Sequence, residues 1–254
     1  MATGRTTAWG GLFVVALMMM AGFTAPLTAQ IPEEFTNLQI LPEDIPQRQL
    51  LAIMRGFTRA LGVRCSTCHV GEESQDLSEY DFASDDEPTK RTAREMLEMV
   101  QSINENVIFS LVDRGTPEIE VGCVTCHAGR RRPTTLLQEL TWAAEDGGWA
   151  AAEARYDELR ERYYGLGTLN FGPRTLEDLA NGLSRADDLP GALAALDLNL
   201  GLYPESANSW TLKGQVHMRS GQTEEAIAAL ERSLELLPGN PRVLQVLERL
   251  KGGG

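Results

Sequence analysis

Residues 46–69, PQRQLLAIMRGFTRALGVRCSTCH, and residues 88–127, PTKRTAREMLEMVQSINENVIFSLVDRGTPEIEVGCVTCH, follow one plan: an apolar helical stripe, a break, and a C-x-x-C-H motif. In the first stretch Leu50, Ile53, Met54, Phe57 and Leu61 recur at three- and four-residue intervals. That spacing predicts a helix over 46–61 with these side chains on one face, and Gly62 stops it. In the second, Ser84 to Glu87 followed by Pro88 make a helix start, and Ala93, Met96, Val100, Ile103 and Val107 form the stripe of a helix predicted over 89–112.

All four cysteines, Cys65, Cys68, Cys123 and Cys126, lie in these motifs, and two of the three histidines, His69 and His127, directly follow them. Two intervening residues let both thiols reach the vinyl groups on one edge of a haem, while the adjoining imidazole ligates the iron from one face. A disulfide in so tight a loop restricts the chain little and does not call for a neighbouring histidine. Zinc ribbons and fingers place their pairs closer together than Cys68 and Cys123. A thioredoxin-type pair needs a strand leading into a helix, whereas both motifs here follow a helix and a short turn. The expected cofactor is therefore haem c, two groups covalently attached, with their iron.

An iron that passes electrons without binding small molecules needs a sixth ligand. Met54 lies eleven residues before Cys65 on the apolar stripe, so a short turn can bring the first motif back against it; it is the expected distal ligand there. For the second motif Met96 and Met99 both lie near the stripe, and spacing does not choose between them. Methionine at helical spacing also fills cores, and the recurrence of helix, Met, turn and motif is what favours ligation.

These features resemble the cytochrome subunit of photosynthetic reaction centres. The resemblance covers Asn37 to Arg132 and rests on NLQILPEDIP leading into MRGFTRALGVRCSTCH, and on AREMLEMVQSIN leading into EIEVGCVTCHAGR. It implies a helix methionine as distal ligand. The family pattern R-x-M-x-x-x-V-x-x-I-N falls on Arg94, Met96, Val100, Ile103 and Asn104, which favours Met96. The family carries four haem motifs where this chain has two, and Ser110 stands where the family places a histidine in the second unit. Histidine–methionine ligation implies a carrier of middle to upper potential.

After Thr141 the pattern changes to helices without cysteine, and a period of 34 appears: Ala192, Leu196 and Pro204 recur as Ala226, Leu230 and Pro238. With Trp210, Gly214 and Gly221 in the second copy, this resembles two tetratricopeptide repeats, 173–206 and 207–240, closed by a helix over 241–251. A helix over 150–164 is expected to cap them or to pack on the haem-motif region. His217 falls inside the repeats and is a poor candidate for iron. The fold class is mainly α: a signal peptide over 1–29, a dihaem cytochrome c domain over 30–140, a helical linker over 141–172 and a repeat domain over 173–251.

The signal peptide is read from Arg5 followed by LFVVALMMMA at 12–21, with cleavage expected after Ala29; an uncleaved anchor is the alternative. The chain is acidic, with 36 acidic against 23 basic residues and a net charge of -13, which disfavours nucleic acid as a partner. The one dense basic cluster, Arg130, Arg131 and Arg132, is expected to be a solvated loop or to pair with haem propionates or an acidic redox partner. The expected function is electron transfer between redox partners outside the cytoplasmic membrane, without enzymatic activity. The repeats would tether a protein or peptide partner or a second copy. The alternatives are an electron-entry or peroxidase-type subunit, and a repeat scaffold with structural haems.

Overall fold

The computed structural model describes residues 34–252, so the expected signal segment lies outside the described residues. Nine α-helices are present among them, with no strand beyond one isolated bridge between Val70 and Asp81. Helix α1 (Gln47–Leu61) ends at Gly62, whose φ of 64° is left-handed as the sequence requires. The approach at this point is close. Gly129 donates its amide to the Ala60 carbonyl at 2.8 Å, and a Cβ on Gly62 would stand 2.1 Å from the Gly129 carbonyl oxygen. The end of α1 is thus fastened to the turn just beyond the second C-x-x-C-H motif.

Helix α2 (Pro88–Ser102) begins with Pro88 in its first turn and then widens into a π-helical stretch, Ile103–Ile108. The helix predicted to Val112 therefore ends early, and a loop rather than a short turn leads to Cys123. The reason is a side chain: Asn104 donates to the Val121 carbonyl and accepts from the Val121 amide, both at 2.8 Å, which draws this turn towards the second motif. Widened turns of this kind are common where function constrains the backbone. Cys123–His127 forms the one-and-a-half-turn helix α3.

Helix α4 (Leu136–Tyr163) starts at Thr135, which accepts from the Gln138 amide while Gln138 accepts the Thr135 amide. Gly147 and Gly148 leave helical geometry and break it into two arms. The expected boundary at residue 140 falls inside the first arm. Helices α5 (Pro173–Arg185) and α6 (Leu189–Leu202), α7 (Ala207–Arg219) and α8 (Thr223–Leu236), and then α9 (Pro241–Gly252) make two helix pairs and a last helix. Ala180, Ala192 and Ala226 are buried at the close-contact positions, and a Cβ on Gly214 would come within 2.7 Å of Leu230, so α7 and α8 cross there only without a side chain.

The main core runs from Leu136 and Leu140 in the first arm through Tyr156 and Leu159 in the second to Leu176, Leu179, Leu196 and Val216 in the repeats. The segment read as a linker is part of the repeat core. Before Leu136 the buried hydrophobics among the described residues are only Ile45, Leu50, Ala60 and Tyr80.

Candidate functional site

Both C-x-x-C-H motifs are helical turns. In the first, the Cys68 and His69 amides donate to the Cys65 carbonyl at 3.1 and 3.0 Å; in the second, the Thr125 hydroxyl accepts the Gly122 amide at 3.0 Å and starts α3. A helical turn sends residues i, i+3 and i+4 out on one face, so each pair of thiols and its imidazole share a side. No disulfide joins any of the four cysteines. Burial raises the Cys68 thiol, partly offset by the Thr89 hydroxyl and the Arg131 charge, and burial likewise raises Cys123.

The first motif is walled by the loop that follows it. Phe82 packs edge-on to His69 with ring centroids 5.0 Å apart, and Tyr80 stacks on Phe82. This loop is held by Lys90, a buried cation whose ammonium donates to the carbonyls of Phe82, Ala83 and Ser84 at 2.7 to 3.0 Å. Asp85 binds both Lys90 and, through two 2.9 Å bonds, Arg94; the Arg94 contact foremost holds its carboxyl well below the usual range. Burial pushes His69 towards its neutral form, and its Nδ1 is buried without a hydrogen bond of normal geometry, although the Phe82 backbone is near enough to counter the shift in part. Thr89, at the start of α2, donates its hydroxyl to the Thr67 carbonyl inside the motif.

At the second motif His127 Nδ1 lies 2.9 Å from the Arg130 carbonyl. A carbonyl only accepts, so the bond puts the proton on Nδ1 and leaves the Nε2 lone pair for a metal, the usual arrangement behind a ligating histidine. Arg130 itself is buried, bound to Glu139 at 2.6 Å and to the Thr134 carbonyl at 3.0 Å, with its guanidinium 5.5 Å from the Tyr163 ring centroid. It is therefore neither solvated nor available to a partner. Only Arg131 and Arg132 of the cluster are exposed, Arg132 lying 4.5 Å over Trp142.

Met54 is half-buried on the predicted stripe of α1. Met96 and Met99 are exposed on α2, 38% and 43%, so burial does not separate them any more than spacing did. Val107, Phe109 and Val124 are likewise exposed, and the Asn104–Val121 pair ties their segment to the second motif. A turn that presents two thiols and an imidazole with a free Nε2 is a donor set that fits a haem, and the apolar stripes of α1 and α2 carry the methionines. His217 lies on α7 and bonds Gln222 at 2.7 Å, inside the repeats. Sequence reasoning missed the Asn104 tie and the Glu139 network. Asn104 belonged to the quoted pattern but had no assigned task, and nothing local marks Glu139.

Fold and motifs define the class: an α-helical chain in which two C-x-x-C-H turns precede tetratricopeptide-like repeats. Comparison with known proteins agrees. Residues 76–161 match the family described as photosynthetic reaction centre cytochrome C subunit, and residues 179–251 match the tetratricopeptide repeat. The first match starts later than the expected resemblance and extends beyond it into α4. The photosynthetic reaction center cytochrome c subunit of Roseobacter denitrificans is 32% identical over 130 residues, which is 50% of this chain and 33% of that protein. The chain thus spans about a third of the length of its curated relative. Among solved structures, the first tetratricopeptide domain of Spaghetti (RPAP3) bound to an HSP90 peptide aligns with 46% of this chain and 89% of that one, at 19% identity and a TM-score of 0.34. MamA aligns with 46% of this chain and 66% of that one, at 21% identity and a TM-score of 0.35.

Proposed function

We propose that this chain is an exported dihaem c-type cytochrome that passes electrons between redox partners. The observation that carries the reading is the pair of C-x-x-C-H turns whose cysteines form no disulfide and, in the second, an imidazole whose Nδ1 is engaged by the Arg130 carbonyl. Cys65 and Cys68 would hold one haem and Cys123 and Cys126 the other, with His69 and His127 as proximal ligands and Met54 and Met96 as distal ones. When bound, haem c supplies a one-electron iron couple. The chain's residues do the rest: the thiols fix the group, the histidines orient it, and the apolar faces of α1 and α2 keep water from it.

The two motifs are neighbours. Gly62 and Gly129 touch, Cys65 lies three residues beyond the first, and His127 lies two residues before the second. That proximity suits passage of electrons from one haem to the other within the chain. Among the described residues no helix is long and apolar enough to cross a membrane. Export rests on the signal-like segment, and the partners of the repeats are redox proteins, a peptide or a second copy.

The test is the intact mass, with a reduced-minus-oxidised spectrum, of protein made alongside a haem-attachment system. A mass increased by two haems is expected, and a mass without them overturns the reading. Carbon monoxide added to the reduced protein should leave both irons unchanged; binding would instead favour a peroxidase-type role.

A further inference from the structure

The two motifs differ in what stands behind their histidines. His69 Nδ1 has no normal hydrogen bond, whereas His127 Nδ1 bonds the Arg130 carbonyl at 2.9 Å and the Arg130 amide donates back to the His127 carbonyl at 2.9 Å. Arg130 is then gripped from the far side. Its guanidinium meets Glu139 Oε1 at 2.6 Å; the Thr134 hydroxyl donates to the same oxygen at 2.6 Å; and Arg155 donates to Oε2 from Nε at 3.1 Å and Nη2 at 2.6 Å. Glu139 lies in the first arm of α4, one residue before Leu140, and Arg155 lies in the second arm, one residue before Tyr156. Leu140 and Tyr156 are core residues packed with the repeats. A chain of bonds therefore runs from the second motif's imidazole through the Arg130 backbone and the Arg130–Glu139–Arg155 ion pairs to residues adjoining the repeat core.

We propose that Glu139 is a positioning residue for the second haem: through Arg130 it fixes the carbonyl that orients His127, and so couples that haem, and not the first, to the repeat half of the molecule. The inference rests on the dihaem reading. Two effects act in one direction. A firm Nδ1–H bond to a carbonyl makes the imidazole a stronger donor and favours oxidised iron, and the Glu139 charge neutralises Arg130 beside the site. Loosening the bond and removing the charge both favour the reduced state.

The experiment uses the full-length dihaem protein and its Glu139→Gln variant, with haem content fixed by intact mass. Potentials are read for each haem separately, and paramagnetic NMR assigns each to its axial histidine. An upward shift at the His127 haem, with its imidazole resonances displaced and the His69 haem unmoved, is the expected result. Glu139→Asp, which keeps the charge, should recover part of the shift. Thr134→Val, a milder change without loss of charge, should give a smaller displacement confined to the same haem and serves if Glu139→Gln does not fold. Equal movement of both haems, or no movement in a folded dihaem protein, overturns the inference. A wild-type mass short of the second haem overturns the dihaem reading instead.

Discussion

Gly62 adopts a left-handed φ and lies under the Gly129 carbonyl, so an alanine there meets two penalties at once, backbone strain and a steric clash with a main-chain atom. Gly62→Ala should lower stability by about 1–3 kcal/mol in denaturant unfolding, and an unchanged midpoint would contradict the contact. Asn104 presents a different case, because its two bonds to Val121 are the only ones described for its side chain. Asn104→Leu should cost about 1–3 kcal/mol in denaturant unfolding and, on the proposed dihaem reading, broaden the signals of the second haem before those of the first. On the proposed dihaem reading with Met96 as the second distal ligand, Met96→Ala should abolish the Met-ligated low-spin signature of that haem and Met99→Ala should retain it; the opposite pattern would exchange their roles. At this scale the sequence was legible where chemistry is local. The motifs, Gly62 and the methionine stripes follow from spacing, whereas the Asn104–Val121 pair joins residues 17 apart across a loop and leaves no periodic trace.

Helix α4 shows why element boundaries were harder to read. Its second arm follows an apolar pattern, but the first arm begins at a capping box on Thr135, only eight residues after the second motif, and two glycines interrupt the periodicity between the arms. What joins the arms is Glu139 with Arg155, and what joins them to the second motif is Glu139 with Arg130. A triplet of arginines reads as surface, but the half-buried Glu139 carboxylate takes one of them, Arg130, into the interior. Burial alone would raise the Glu139 carboxyl, but Thr134, Arg155 and Arg130 outweigh it and bring it to about 2 from an ordinary 4.5. Since the folded value lies below the unfolded one, the ionised group stabilises the fold fully above about pH 4.5, and that stabilisation is lost as pH falls towards 2. The amount at stake is on the order of 3 kcal/mol. Unfolding free energies of the wild type and Glu139→Gln, compared between pH 6 and pH 2.5, should converge by most of that amount; parallel curves would show that the ion pairs contribute little.

Across the whole molecule burial is uneven, and this decides which half supports the other. The repeat core is continuous from Leu136 to Val216, while the motif region before it buries four hydrophobic residues among those described. The 34-residue period made the repeats legible almost to the residue, because each close contact between paired helices demands a small side chain at a fixed place. The second arm of α4 was expected as a cap on the repeats, but that its first arm joins the same core was not legible, because Leu136 and Leu140 lie outside the 34-residue period and the Gly147–Gly148 break separates them from it. Each is essentially solvent-free, at 2% and 0% exposure. Leu140→Ala should therefore cost about 2–5 kcal/mol, a range typical of a buried leucine. The consequence extends to fragments. A chain of residues 134–252 retains both arms of α4 and should unfold cooperatively with a helical circular dichroism spectrum. One of residues 149–252 starts after the glycine break, gives up Leu136 and Leu140, and should melt at least roughly 10 °C lower, since each kcal/mol lost displaces the midpoint of a domain this size by several degrees. Equal midpoints would mean that the first arm belongs to the haem-motif region instead, and that the joint between the halves lies at Gly147 and Gly148.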